Sequence, residues 1–195
     1  PTGIYIPRYS GITETDKPYL RGFGMQGGAR KIRRRDGEGR AWVLSLGPFG
    51  EVLPDPENRV TLSASRVDSW GIPLPRIEAA HGANEQAMMR EAARDAAAML
   101  AAAGCTDITP WEEAGAQLTP PGDRIHEMGT ARMGRDPATS VFNGWGQAHE
   151  APNLFCSDGA VMASSASMNP SLTYMALSAR TANYAADLLE QGALS

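Results

Sequence analysis

The apolar positions of this chain change period twice, and the changes divide it. Through residue 80 they come in short runs broken by Gly, Pro and polar residues: Gly3 to Tyr9, Tyr19 to Met25 and Ala41 to Leu46 read as β-strands, with no helical period. Glu51-Val52-Leu53-Pro54, a turn at Asp55-Pro56-Glu57-Asn58 and the alternating Arg59-Val60-Thr61-Leu62 predict a β-hairpin or a pair of linked strands. Gly71 to Ile77 predicts one more extended piece, at an edge, because its prolines exclude helix. From Asn84 to Ala103 the period becomes helical. Met88, Ala92, Ala96, Met99 and Ala103 form one stripe, Asn84 stands ready to cap, and Gly104 supplies the stop. Residues 107–122 read as a loop, and Asn153 to Ser157 as a short apolar strand running into an Asp158-Gly159 turn. Asn169-Pro170 opens a last helix as cap and first helical residue, continuing through Tyr174, Leu177, Ala182, Ala185 and Leu188. The expected class is α+β, a mostly antiparallel sheet flanked by helices.

Composition narrows the partners. The chain has 195 residues, room for one domain or slightly more, and a net charge of -4 that excludes nucleic acid as a general partner. Its one basic run, Arg30 to Arg35, is followed by Asp36 and Glu38 and reads as a solvated loop. The two cysteines, Cys105 and Cys156, lack metal-ligand spacing and are too few for a disulfide framework. No segment is apolar enough to span a membrane, and the start at Pro1, with neither initiator Met nor signal-like segment, is what a cut end of a longer protein would show. The compartment stays open between bacterial cytoplasm and periplasm.

Several chemical readings fail on context. Gly22-Phe23-Gly24-Met25-Gln26-Gly27 satisfies G-x-G-x-x-G, but no apolar helix follows to receive a pyrophosphate, so it reads as a Gly-rich strand or loop. His81, His126 and His149 have no zinc spacing, and no metal is expected. Ser164, Ser165 and Ser167 lie outside any nucleophile-elbow pattern. Asp158-Gly159 suits either a plain turn or contact with a ribose hydroxyl or phosphate, and Asn169 either a cap or an anion site at the helix N-terminus.

The order of motifs decides among these. His126-Glu127-Met128-Gly129-Thr130-Ala131-Arg132-Met133-Gly134, then Asp136-Pro137, Ser140-Val141, Asn153-Leu154-Phe155, Asp158-Gly159 and Asn169-Pro170-Ser171-Leu172-Thr173, resembles the C-terminal region of glucose-methanol-choline (GMC) flavoprotein oxidoreductases over about Arg124 to Leu189. Within the family the chain is most similar to bacterial sugar and glycoside oxidoreductases, pyranose-oxidase-like enzymes and gluconate dehydrogenase large subunits among them. The resemblance implies that residues 1–123 form a substrate-binding sheet domain carrying the helix 84–103. Residues 124–195 would then carry the catalytic histidine and a strand-turn-helix that completes an FAD-binding domain.

It implies roles as well. His126 matches the base and Asn169 its pair partner; Asp158, Gly159, Ala160, Pro170, Ser171 and Leu172 match FAD contacts, and Gln26 and Arg124 are candidates for substrate hydroxyls. The implied reaction oxidises a CH–OH group of a sugar, glycoside or polyol, His126 taking the proton while hydride goes to flavin N5. FAD would be held mostly by an N-terminal Rossmann half that this chain lacks, supplied in cis or in trans, and an electron-acceptor subunit is a further implied partner. The alternative is a non-catalytic carbohydrate-binding or subunit-interface domain.

Overall fold

The computed structural model describes residues 2–34, 37–110, 118–123 and 125–194. They form two compact units: residues 1–53, 81–119 and 166–168, and residues 54–80, 120–165 and 169–195. The antiparallel sheets and two long helices establish the α+β class.

In the first unit β1 (Thr2–Ser10), β2 (Phe23–Arg33) and β3 (Arg40–Gly50) make an antiparallel sheet with β2 central. Helix α1 (Ala83–Ala102) packs across β3 and, to a lesser extent, β2. Its stripe of Met88, Met89, Ala92 and Ala96 meets Phe23 and Met25 of β2 and Tyr19 in one buried cluster. Each large side chain removed from water there contributes about 1.5–3 kcal/mol. The cluster needs two glycines. A Cβ on Gly50 would sit 2.2 Å from Met88 Cε, and one on Gly27 would sit 1.9 Å from the Ser45 carbonyl oxygen on the neighbouring strand.

Four expectations change here. Tyr19 to Gly22 is bent chain; the strand begins at Phe23 and runs on through Arg33, so the basic run is largely strand and not loop. Pairing to β3 residue by residue, from Phe23↔Gly50 to Arg33↔Arg40, supplies the order that side-chain alternation does not signal. Glu51 to Pro54 is not a strand. Gly82, not Asn84, occupies the N-cap of α1: Glu85 Oε2 accepts the Gly82 N–H at 2.8 Å, while Asn84 Oδ1 accepts the Leu20 N–H at 2.7 Å. The C-terminal stop is as expected, with Gly104 at φ +81°. Of the expected 107–122 loop, residues 111–117 lie outside the described residues.

The second unit holds the hairpin of β4 (Arg59–Val67) and β5 (Pro73–Glu78) and the helix α2 (Ser171–Glu190). Asn58 ties the hairpin base, exchanging side-chain hydrogen bonds with both backbone groups of Ala80. Between the hairpin and α2 the chain is mostly turns. Single bridges Met133↔Phe142, Phe142↔Ala148 and Gln147↔Phe155 hold them around a small core of Phe142, Ala148 and Val161. The expected strand Asn153 to Ser157 is only the last of these bridges. A short 3-10 turn spans Gly159–Val161. Helix α2 starts one residue later than its sequence suggests, with Pro170 rather than Asn169 at the N-cap (φ -91°, ψ 0°). Its buried position is Thr181, while the neighbouring Ala182 is exposed.

Candidate active site

Within the second unit, backbone hydrogen bonds bring two distant motifs side by side. Ala131 N–H donates to Ala160 O at 3.1 Å and Met133 N–H to Val161 O at 2.8 Å, which lays residues 126–130 beside the turn at Asp158. Gly129 follows that path at φ +82°, where glycine is at ease. His126 follows it at φ +83°, where an L-residue costs roughly 1–2 kcal/mol. A histidine held there by its surroundings is a strained position of the kind concentrated at functional sites.

Asp158 caps the 3-10 turn, its Oδ1 accepting Ala160 N–H at 2.8 Å. Cys156 Sγ donates to the same oxygen at 3.4 Å, and burial, with the adjacent carboxylate, raises the Cys156 thiol above its ordinary value. Helix α2 is stapled to this turn. Ser178 Oγ donates to Ser157 O and lies 2.7 Å from Tyr174 O, while Ser171 Oγ and Tyr174 Oη are 3.2 Å apart. The N-cap residue Pro170 makes no side-chain cap bond, and Tyr174 N–H donates back to Pro170 O at 3.1 Å. The N–H groups of the first turn stand at the positive end of a 20-residue helix.

These pieces enclose a cleft of about 720 Å³. His126, Asp158, Gly159, Ala160 and Ser171 line it, as do Ile125, Glu127, Met128, Thr130 and Tyr174, which sequence reasoning did not single out. Tyr174 had one available signal, since it stands three residues beyond Ser171 on the same helix face. Asn169, Pro170 and Leu172 belong to the same helix start but not to the cleft lining; Leu172 is 80% exposed. Gln26 lies in β2 of the first unit, opposite Tyr5 and Gly47. Arg124 lies outside the described residues. The other two histidines are engaged elsewhere: His81 Nε2 is 2.9 Å from Thr119 O, and His149 Nε2 is 3.1 Å from Ser140 Oγ. Among the described residues no group of three or more His, Cys, Asp or Glu could hold a metal ion.

Residues 54–178 match the family model described as GMC oxidoreductase, and the chain belongs to that family. Among curated proteins it is 37% identical over 167 residues to the fructose dehydrogenase large subunit of Gluconobacter japonicus, a match covering 83% of this chain and 28% of that protein. It is 32% identical to the 2-methyl-1,2-propanediol dehydrogenase of Mycolicibacterium austroafricanum, covering 88% and 34% of the two chains. It is 36% identical to the paromamine 6'-oxidase of Streptomyces fradiae, covering 71% and 25%. The chain thus spans about a quarter to a third of the length of these relatives.

Proposed function

We propose that this chain forms the substrate-side wall of an FAD-dependent oxidoreductase that oxidises a CH–OH group of a sugar, glycoside or polyol. The observation that carries the reading is the convergence of His126, the Asp158–Ala160 turn and Ser171 on one cleft. Family membership supports the reaction class. The relatives named for fructose and for a diol support the substrate class.

The donor set fits the flavin end of FAD. The positive end of α2, whose Ser171 lines the cleft, suits an anionic ring edge. Asp158, Gly159, Ala160, Pro170, Ser171 and Leu172 would hold it, and FAD when bound supplies the hydride acceptor. His126 binds the substrate hydroxyl and accepts its proton as the C–H bond is broken. Asn169, beside the helix start, orients the same oxygen through its amide. The remainder of the dinucleotide is held by a Rossmann half outside this chain, in cis or in trans, and a separate subunit takes the electrons onward.

The test is reconstitution. The full reading frame that contains this chain, purified with FAD, should show a flavin absorption spectrum that fructose or 1,2-diols bleach under nitrogen. A protein that never retains flavin, or whose flavin no polyol reduces, would favour a non-catalytic carbohydrate-binding or subunit-interface domain.

A further inference from the structure

Tyr174 reaches both of the elements that meet at the cleft. Long side chains on a helix lean back over the preceding turn. On α2 this lean carries the Tyr174 hydroxyl to 3.2 Å from Ser171 Oγ, at the first residue of the helix. The ring of the same residue lies against the Asp158 turn, where a Cβ on Gly159 would stand 3.6 Å from Tyr174 Cδ1, an ordinary contact. Its main chain is fixed as well: Tyr174 N–H donates to Pro170 O at 3.1 Å, and Tyr174 O lies 2.7 Å from the Ser178 hydroxyl that holds Ser157 O. Ring, hydroxyl and backbone are thus each held from a different side, and the half-buried side chain lines the cleft with His126.

Proton counting says what the pair of hydroxyls offers. Ser171 and Tyr174 carry one hydroxyl proton each, and the bond between them takes up one of the two. One O–H is left to donate outward. The phenol is the more acidic hydroxyl and so the stronger donor toward a negatively charged acceptor. With Ser171 donating to Tyr174 behind it, each bond polarises the next. Both neighbours of the side chain, Gly159 against its ring and Ser171 against its hydroxyl, belong to the elements that hold FAD in the reading above.

We infer that Tyr174 is a further cofactor-binding residue, its hydroxyl, backed by Ser171, donating a hydrogen bond to an acceptor on the flavin ring. The inference rests on the reading of this cleft as the flavin site. A ring that has received hydride carries negative charge, and a hydrogen bond to a charged acceptor is roughly twice as strong as one to a neutral acceptor. Tyr174 therefore favours the reduced cofactor over the oxidised one and raises its reduction potential.

The test takes the full reading frame that contains this chain, loaded with FAD, and measures the equilibrium of its flavin with a redox dye of known potential, which needs no substrate. Tyr174→Phe keeps the ring against Gly159 and removes the hydroxyl. It should shift that equilibrium about tenfold toward oxidised flavin, or about 30 mV for a two-electron couple, with the melting temperature little changed. Ser171→Ala removes only the supporting hydroxyl and should shift the equilibrium the same way by less. The parental equilibrium in a flavin-loaded Tyr174→Phe protein would overturn the inference and leave the flavin reading standing. A larger shift in Ser171→Ala than in Tyr174→Phe would also overturn it, by giving the contact to Ser171. A parental protein that retains no flavin would overturn both the inference and the reading beneath it.

Discussion

The thioether of Met128 occupies the space that a side chain on Gly159 would need: a Cβ there would lie 2.4 Å from Met128 Sδ and 3.0 Å from its Cε. Both residues line the cleft that contains His126. The obstruction is the far end of a flexible side chain, so Gly159→Ala should cost only about 1 kcal/mol, and Met128 should swing into the cleft. The expected result in the full-length protein is a melting temperature lowered by a few degrees and markedly weaker flavin retention, read by the released-flavin fraction after gel filtration. Unchanged retention would mean that the floor of the cleft does not touch the cofactor.

Glu85 contributes to the acid sensitivity of the first unit, in which Glu14 and Glu91 are also held below the usual carboxylate range. Burial pushes the Glu85 carboxyl up, but the bonds it accepts from Leu53 N–H (3.0 Å), Asn84 Nδ2 (3.1 Å) and Gly82 N–H (2.8 Å) outweigh burial and hold it below the usual carboxylate range. A group lowered on folding contributes stability above its unfolded value, about 4.3, and loses it as pH falls through the lower folded value. Urea unfolding followed from neutral pH downward should show that loss below about pH 4. Glu85→Gln should remove this component and cost about 1–3 kcal/mol at neutral pH, because an amide NH₂ then faces backbone donors. An unaltered pH profile in the variant would assign the acid transition to other carboxylates.

Gly27 and Gly3 separate close approach from mere flexibility. A Cβ on Gly27 would meet Ser45 O at 1.9 Å and Leu46 Cα at 3.0 Å, all backbone of the adjacent strand, whereas one on Gly3 has nothing within 4 Å. Gly27→Ala should lower the unfolding midpoint by the equivalent of about 3 kcal/mol or more, and Gly3→Ala should leave it unchanged. Equal midpoints for the two variants would contradict the β2–β3 register.

What the sequence made legible follows where side chains carry a period. The α1 stripe of Met88, Met89, Ala92, Ala93 and Ala96 is both periodic and buried, and Gly104 stops the helix in a left-handed conformation. Strand β2 was readable only at its start, because Gly27, Gly28 and the cations after Ala29 provide no inward apolar partner; β3 orders them through backbone pairing. The start of α2 moved by one residue because Asn169 and Pro170 both suit a helix entrance, and only backbone angles distinguish them. In the cleft, His126, Asp158 and Ser171 stood out through ordered motifs. Met128 and Tyr174 did not, since an apolar and an aromatic residue beside a turn look like packing until the turn is folded against α2.

His126 bears the central claim. It lines the cleft at φ +83°, together with Ser171 at the start of α2. The most direct measurement is the rate of flavin reduction by fructose or 1,2-diol in the full-length protein under anaerobic stopped flow, comparing the parent with His126→Ala. Loss of a general base lowers the rate by about 10²–10⁴-fold, with flavin still bound and the melting temperature little changed. Reduction at the parental rate in a flavin-loaded His126→Ala protein would contradict the account.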